Sequence, residues 1–157
     1  MIKELVAIIG FIGFLIGIII AGKTQEEVKP GRKYLKVAKR AILLLSALVI
    51  LNYIQVYFWL ILAGAMIGYF LRRAITYYGM ALGGASIAAL TNWLGAFTFL
   101  SALVEGTLER KQGKNGKAIL IAAALFFGTY ITFRILNMEV LLNAAAGAML
   151  VEAFRKK

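Results

Sequence analysis

Apolar residues in this chain do not alternate with polar ones; they come in long runs separated by short polar breaks. Seven runs can be marked, roughly Leu5–Gly22, Leu35–Tyr53, Val56–Leu71, Ile75–Leu90, Trp93–Leu108, Ala118–Phe133 and Val140–Phe154. Runs of mostly 15 to 19 residues are too long for strands and argue for helices. At 1.5 Å per residue each reaches about 22–29 Å, the short end of what a bilayer core requires. The pattern predicts an all-α membrane protein with about seven short transmembrane helices. Fusing neighbours into four helices would give elements of about 55 Å, far beyond a bilayer. A five- or six-span version with a re-entrant segment near Thr91–Asn92 is a closer competitor.

Composition points the same way. Of 157 residues, 62% are hydrophobic and mean hydropathy is +0.84, more apolar surface than a soluble domain of this size hides. The net charge of +11 comes from eighteen Lys and Arg, clustered at Lys23 to Arg40, Arg72 and Arg73, Arg110 to Lys117, and Arg155 to Lys157. Seven spans put every basic patch on one side, which the positive-inside rule makes cytoplasmic. The expectation is a multi-pass protein of the cell membrane, N-terminus outside and C-terminus inside. The patches then read as topology determinants and contacts with anionic lipid headgroups, not as a nucleic-acid site. The neutral MIKE flank before the first run and the basic flank after it favour a retained anchor over a signal peptide. Plentiful Lys with few Gln and Asn and no Cys suggests a thermophilic prokaryote.

Two stretches recur. RAILLLSALVILNYI (Arg40 to Ile54) aligns without a gap with KAILIAAALFFGTYI (Lys117 to Ile131), 77 positions on, with seven of fifteen residues identical. AGAMIGYFLRR (Ala63 to Arg73) aligns with AGAMLVEAFRK (Ala146 to Lys156), 83 positions on, and Phe14–Leu15 matches Phe99–Leu100 faintly. These predict a 3+1+3 parallel internal repeat in a single polytopic domain: a first copy over about 1–73, a linker helix over about 74–91 and a second copy over about 92–157. The arrangement resembles that of PQ-loop sugar facilitators and trimeric cation channels. The resemblance stops at architecture, because the only proline is Pro30, placed in a loop, and no PQ-loop motif exists.

Small residues at i, i+4 (Gly13 and Gly17, Gly64 and Gly68, Gly79 and Gly83, Ala144 and Ala148) predict close helix packing, with a homo-oligomer through such faces as the sharper reading. Gly83–Gly84 is a candidate bend.

Without Cys, His or Asp, disulfides, imidazole metal sites and aspartate-dependent catalysis are excluded. No phosphate-binding loop or nucleophile–base pair is present, so neither catalytic residues, a metal nor a cofactor are expected. Candidate pathway residues are Asn143, the deepest amide, with Ser46, Ser101 and the repeat-related Tyr53 and Tyr130. Candidate gate or ion-pair residues are Glu105 and Glu152 on the basic side, and Arg134 with Glu139 on the other. Competing with each is a structural role: local ion pairing, an interhelical amide bond, or a hydroxyl bonded to its own helix. The leading expectation is a small facilitator or channel for a small solute or ion, its path between the copies. A non-transporting membrane subunit that stabilises a complex is the alternative, with an intramembrane enzyme third.

Overall fold

The computed structural model describes residues 2–70, 92–109, 119–120, 123–124 and 138–155. Five helices are described: α1 (Ile2–Lys23), α2 (Gln25–Tyr53), α3 (Phe58–Phe70), α4 (Asn92–Glu109) and α5 (Met138–Phe154). Of the predicted linker helix nothing is described, and of the sixth run only Ile119, Leu120, Ala123 and Ala124, which are helical.

The all-helical expectation stands, but the seven-span one does not. Among the described residues no helix is long and apolar enough to cross a membrane. The 13 described residues of α3 and the 17 of α5 cover about 20 and 26 Å. Helix α4 carries Glu105 and Glu109, and the 29 residues of α2 include a heavily charged first half. In α1 side chains are described only from Ile8 onward. The multi-pass placement in the cell membrane, the N-out/C-in orientation and the cytoplasmic assignment of the basic segments fall with it.

Helix α2 also starts earlier than its apolar run. It begins at Gln25, and Pro30 lies inside the helix, not in a loop. Proline there removes one i→i−4 bond, yet the turn before it closes, with the Val28 amide donating to the Thr24 carbonyl at 2.9 Å. Thr24 alone separates α1 from α2, and its hydroxyl donates back to the Ile20 carbonyl at 2.9 Å.

The helices pack as two close parallel pairs. In the first, Gly13 of α1 faces Phe99 of α4, and Gly17 faces the Leu103 carbonyl and the Thr107 amide. In the second, Gly64 and Gly68 of α3 face Ala144 and Ala148 of α5. Partners advance together along both chains, so each pair runs parallel.

The contacts are reciprocal. Gly106 on α4 faces the Phe14 carbonyl and the Ile18 amide of α1. The same interval thus relates Gly17 to Gly106, Phe14 to Leu103 and Ile18 to Thr107. In the other pair Gly147 faces the Ile61 carbonyl while Gly64 faces Ala144, and one interval relates both. Contacts of this form arise between elements related by a two-fold axis. The α1–α4 register pairs Phe14 with Leu103, one helical turn beyond the Phe14–Phe99 match read from sequence.

Helix α2 runs against both pairs. Its Leu43, Ala47 and Ile50 form a core with Leu142, Ala146, Met149 and Ala153 of α5, while Phe14, Ile18 and Ala102 close a second core between α1 and α4. The glycine faces proposed for a homo-oligomer are therefore filled from within: Gly13 and Gly17 by α4, Gly64 and Gly68 by α5. The Gly79–Gly83 pair and the Gly83–Gly84 bend lie outside the described residues.

A Cβ on Gly64 or Gly147 would run into backbone of the facing helix, whereas one on Gly31, in α2, would meet nothing. Gly64→Ala and Gly147→Ala are each expected to destabilise by about 1–3 kcal/mol through overpacking. Gly31→Ala is expected to stabilise by roughly 0.5–1 kcal/mol, because alanine costs less backbone entropy in a helix. Denaturant titration of the three variants checks both signs.

Candidate functional site

Lys39 lies on the inward face of α2, one turn before Leu43 and two before Ser46 and Ala47. That face meets α4 and α5, so the lysine is carried between two acidic helices. Its Nζ lies 2.7 Å from Oε2 of Glu105 on α4 and 3.2 Å from Oε1 of Glu152 on α5. The Arg155 Nη1 donates to the other oxygen of Glu152 at 3.0 Å. Glu105 is only 4% exposed. Two cations and two carboxylates thus form a nearly dry, charge-balanced cluster joining α2, α4 and α5.

Burial pulls the Lys39 ammonium towards its neutral form, but the charges and hydrogen bonds of Glu105 and Glu152 outweigh it and hold its pKa above the ordinary 10.5. An amine held protonated is neither a nucleophile nor a general base at neutral pH.

The same end of the bundle carries three hydrogen bonds from arginines to backbone carbonyls. Arg32 donates to the Leu108 carbonyl of α4 at 3.0 Å, and Arg155 to the Tyr69 carbonyl of α3 at 3.1 Å. Arg40 donates to the Arg155 carbonyl just past α5. Terminal carbonyls lack intrahelical partners and carry the negative end of the helix dipole, so cationic donors are favoured there.

At the opposite end Asn143 acts as a staple. Its Nδ2 donates to the Gln55 carbonyl at 3.0 Å and to the Glu139 carbonyl at 2.9 Å, and its Oδ1 accepts the Tyr57 amide at 3.0 Å. Ile54 is extended, so the connection to α3 has backbone groups with no helical partner. A fully buried amide supplies two of them.

The structure brings together two of the residues singled out from sequence, Glu105 and Glu152. Asn143 also meets the backbone carbonyl of Glu139. Ser46 is buried and donates to the Ile42 carbonyl of its own helix at 2.8 Å. Ser101 is buried and engaged with a neighbour. Tyr53 is exposed near the Asn143 end, and Glu139, part-buried at the start of α5, accepts from Asn143 through its carbonyl. Tyr130 and Arg134 lie outside the described residues, and with them the Arg134–Glu139 pair and the Tyr53–Tyr130 relation. Lys39, Arg32, Arg40 and Thr107 were not singled out. Lys39 was legible from its spacing to Leu43, Ala47 and Ile50, but was absorbed into a basic patch. The Thr107 hydroxyl lies 2.8 Å from the Leu103 carbonyl and 3.3 Å from that of Gly17.

No group of three or more acidic, Cys or His residues able to hold a metal exists among the described residues. No family model, no curated protein and no solved structure matches this chain, so no relative supports transport.

Lys39→Met leaves the buried Glu105 without its cation and is expected to cost about 3–5 kcal/mol; adding Glu105→Gln should recover part of it. A lysine whose folded pKa is raised contributes stability that is fully present below its unfolded pKa and lost as pH rises through the folded one. Wild-type stability should therefore fall above pH 10.5, and fall less in Lys39→Met, as measured by thermal unfolding across alkaline pH.

Proposed function

We propose that this chain is a non-catalytic helical scaffold, built from a duplicated three-helix unit, that holds the apolar surface of a partner protein on its flanks. The observation that carries this reading is the inward engagement of its polar groups. Asn143 spends both N–H donors and its carbonyl on the chain itself. Ser46 and Thr107 bond to their own helices, and the alanines around them are fully buried. A facilitator needs polar groups turned towards an open path, and the described candidates for that lining are occupied or, as with Tyr53, at the surface.

The outside has the opposite character. Ile12 and Ile19 of α1 and Trp59, Met66, Tyr69 and Phe70 of α3 are exposed, Trp59 by 80%. Exposed apolar residues spaced along one helix, as Trp59, Met66 and Phe70 are on α3, suit an interaction site, and aromatic residues with Met are the types enriched in protein interfaces.

Photo-crosslinking in the source cell tests this. A benzoylphenylalanine at Trp59 or Met66 should give a discrete protein adduct, and one at the inward-facing Ser46 none. Adducts from neither exposed position would overturn the reading. So would solute release from vesicles loaded with the purified chain, above protein-free controls and abolished by Asn143→Leu. For a scaffold that substitution changes only stability, by about 1–3 kcal/mol, because it strands the Tyr57 amide and Gln55 carbonyl.

A further inference from the structure

Helix α2 has an exposed face that neither the two cores nor the ion cluster uses. Val37, Ala41, Leu45 and Leu48 are exposed and recur every three or four residues, so they form one stripe along the helix. Val37 is 59% exposed and Leu48 52%. Lys33 and Lys36 are also exposed and sit at the N-terminal end of this stripe, Lys33 one turn before Val37. Neither makes an ion pair among the described residues. No acidic residue follows them along α2, from Lys36 to Tyr53. The surface is therefore cationic at one end and apolar at the other.

We propose that this face binds a single anionic phospholipid, its phosphate at Lys33 and Lys36 and an acyl chain along Val37, Ala41, Leu45 and Leu48. Charge complementarity sets the headgroup end. Length sets the rest: Val37 to Leu48 extends about 16 Å, close to half of the roughly 30 Å hydrocarbon thickness of a bilayer, the depth of one leaflet. A free phosphate would leave the stripe bare, and a neutral lipid would leave the lysines without a counter-charge. The site is separate from the scaffold flanks on α1 and α3, so it stands or falls independently of them.

Native mass spectrometry of the full chain in detergent, titrated with phosphatidylglycerol and with phosphatidylcholine of the same acyl chains, tests the proposal. Each lysine near an anionic lipid contributes about fivefold in affinity, so the wild type should prefer phosphatidylglycerol by roughly tenfold or more. Lys33→Gln/Lys36→Gln should abolish that preference and leave phosphatidylcholine binding unchanged. Leu45→Ser/Leu48→Ser should weaken both lipids. All four positions are exposed, and circular dichroism of each variant confirms the fold. Equal binding of the two lipids by the wild type, or an unchanged preference in the lysine variant, would overturn the proposal. Displacement of phosphatidylglycerol by glycerol 3-phosphate alone, or a stronger response to an acidic amphipathic peptide, would overturn it in favour of a free phosphate or a protein partner.

Discussion

Helices α1, α3, α4 and α5 point the same way, as the advancing contacts within each pair and their common opposition to α2 require. Each aligned set of peptide dipoles leaves about half a negative charge at its C-terminal end. Such ends brought to one side repel, and the last carbonyls of any helix lack helical partners. Helix α2 answers both problems, as the one described helix running the other way. Its first half delivers Arg32 and Arg40 to backbone carbonyls of α4 and just past α5, and Arg155 turns back to α3. Lys39, one position from Arg40, is carried inward between Glu105 and Glu152 by the same helix. The rest of the packing assumes this placement.

That constraint explains why part of the fold was legible in the sequence and part was not. The helices fall where apolar runs fall, because long runs without alternation have no other regular structure open to them. The first half of α2 escaped that rule. Pro30 and Gly31, among charged residues, carry the local marks of a loop, but the contacts of Arg32, Lys39 and Arg40 with α4 and α5 are made from a continuous helix. Among the described residues, Arg32, Lys39, Arg40 and Arg155 all make their contacts at one end of the bundle, with carbonyls and carboxylates of α3, α4 and α5.

The site was half legible for a similar reason. Glu105 and Glu152 stand out because carboxylates are rare in apolar runs, and Asn143 because it is the deepest amide. A rare polar group announces itself, but its partner need not. Lys39 sits among basic residues that are mostly exposed, and only the phase of α2 distinguishes it from Lys36 or Lys33. Nor does any sequence feature show that Asn143 serves the two backbone groups of the turn before α3, since Gln55 and Tyr57 are more than eighty positions away.

The polar contacts and the apolar ones also obey different symmetries. The glycine contacts are reciprocal: what Gly17 does to α4, Gly106 does to α1, and what Gly64 does to α5, Gly147 does to α3. The ion cluster has no such counterpart. The intervals seen in the helix contacts relate Glu105 to Ile16 and Glu152 to Tyr69, neither of them charged. A near-symmetric apolar bundle has competing arrangements of similar energy, since either copy of a helix can occupy the other's seat. A buried ion pair adds little net stability over well-packed apolar residues, yet removing one partner is costly. Built from Lys39 on α2 and from Glu105 and Glu152 on α4 and α5, the cluster penalises an exchange within either pair, because it would strand Glu105 or Glu152 away from Lys39. The asymmetry of the charges thus selects one arrangement from those that the symmetric contacts leave nearly equal.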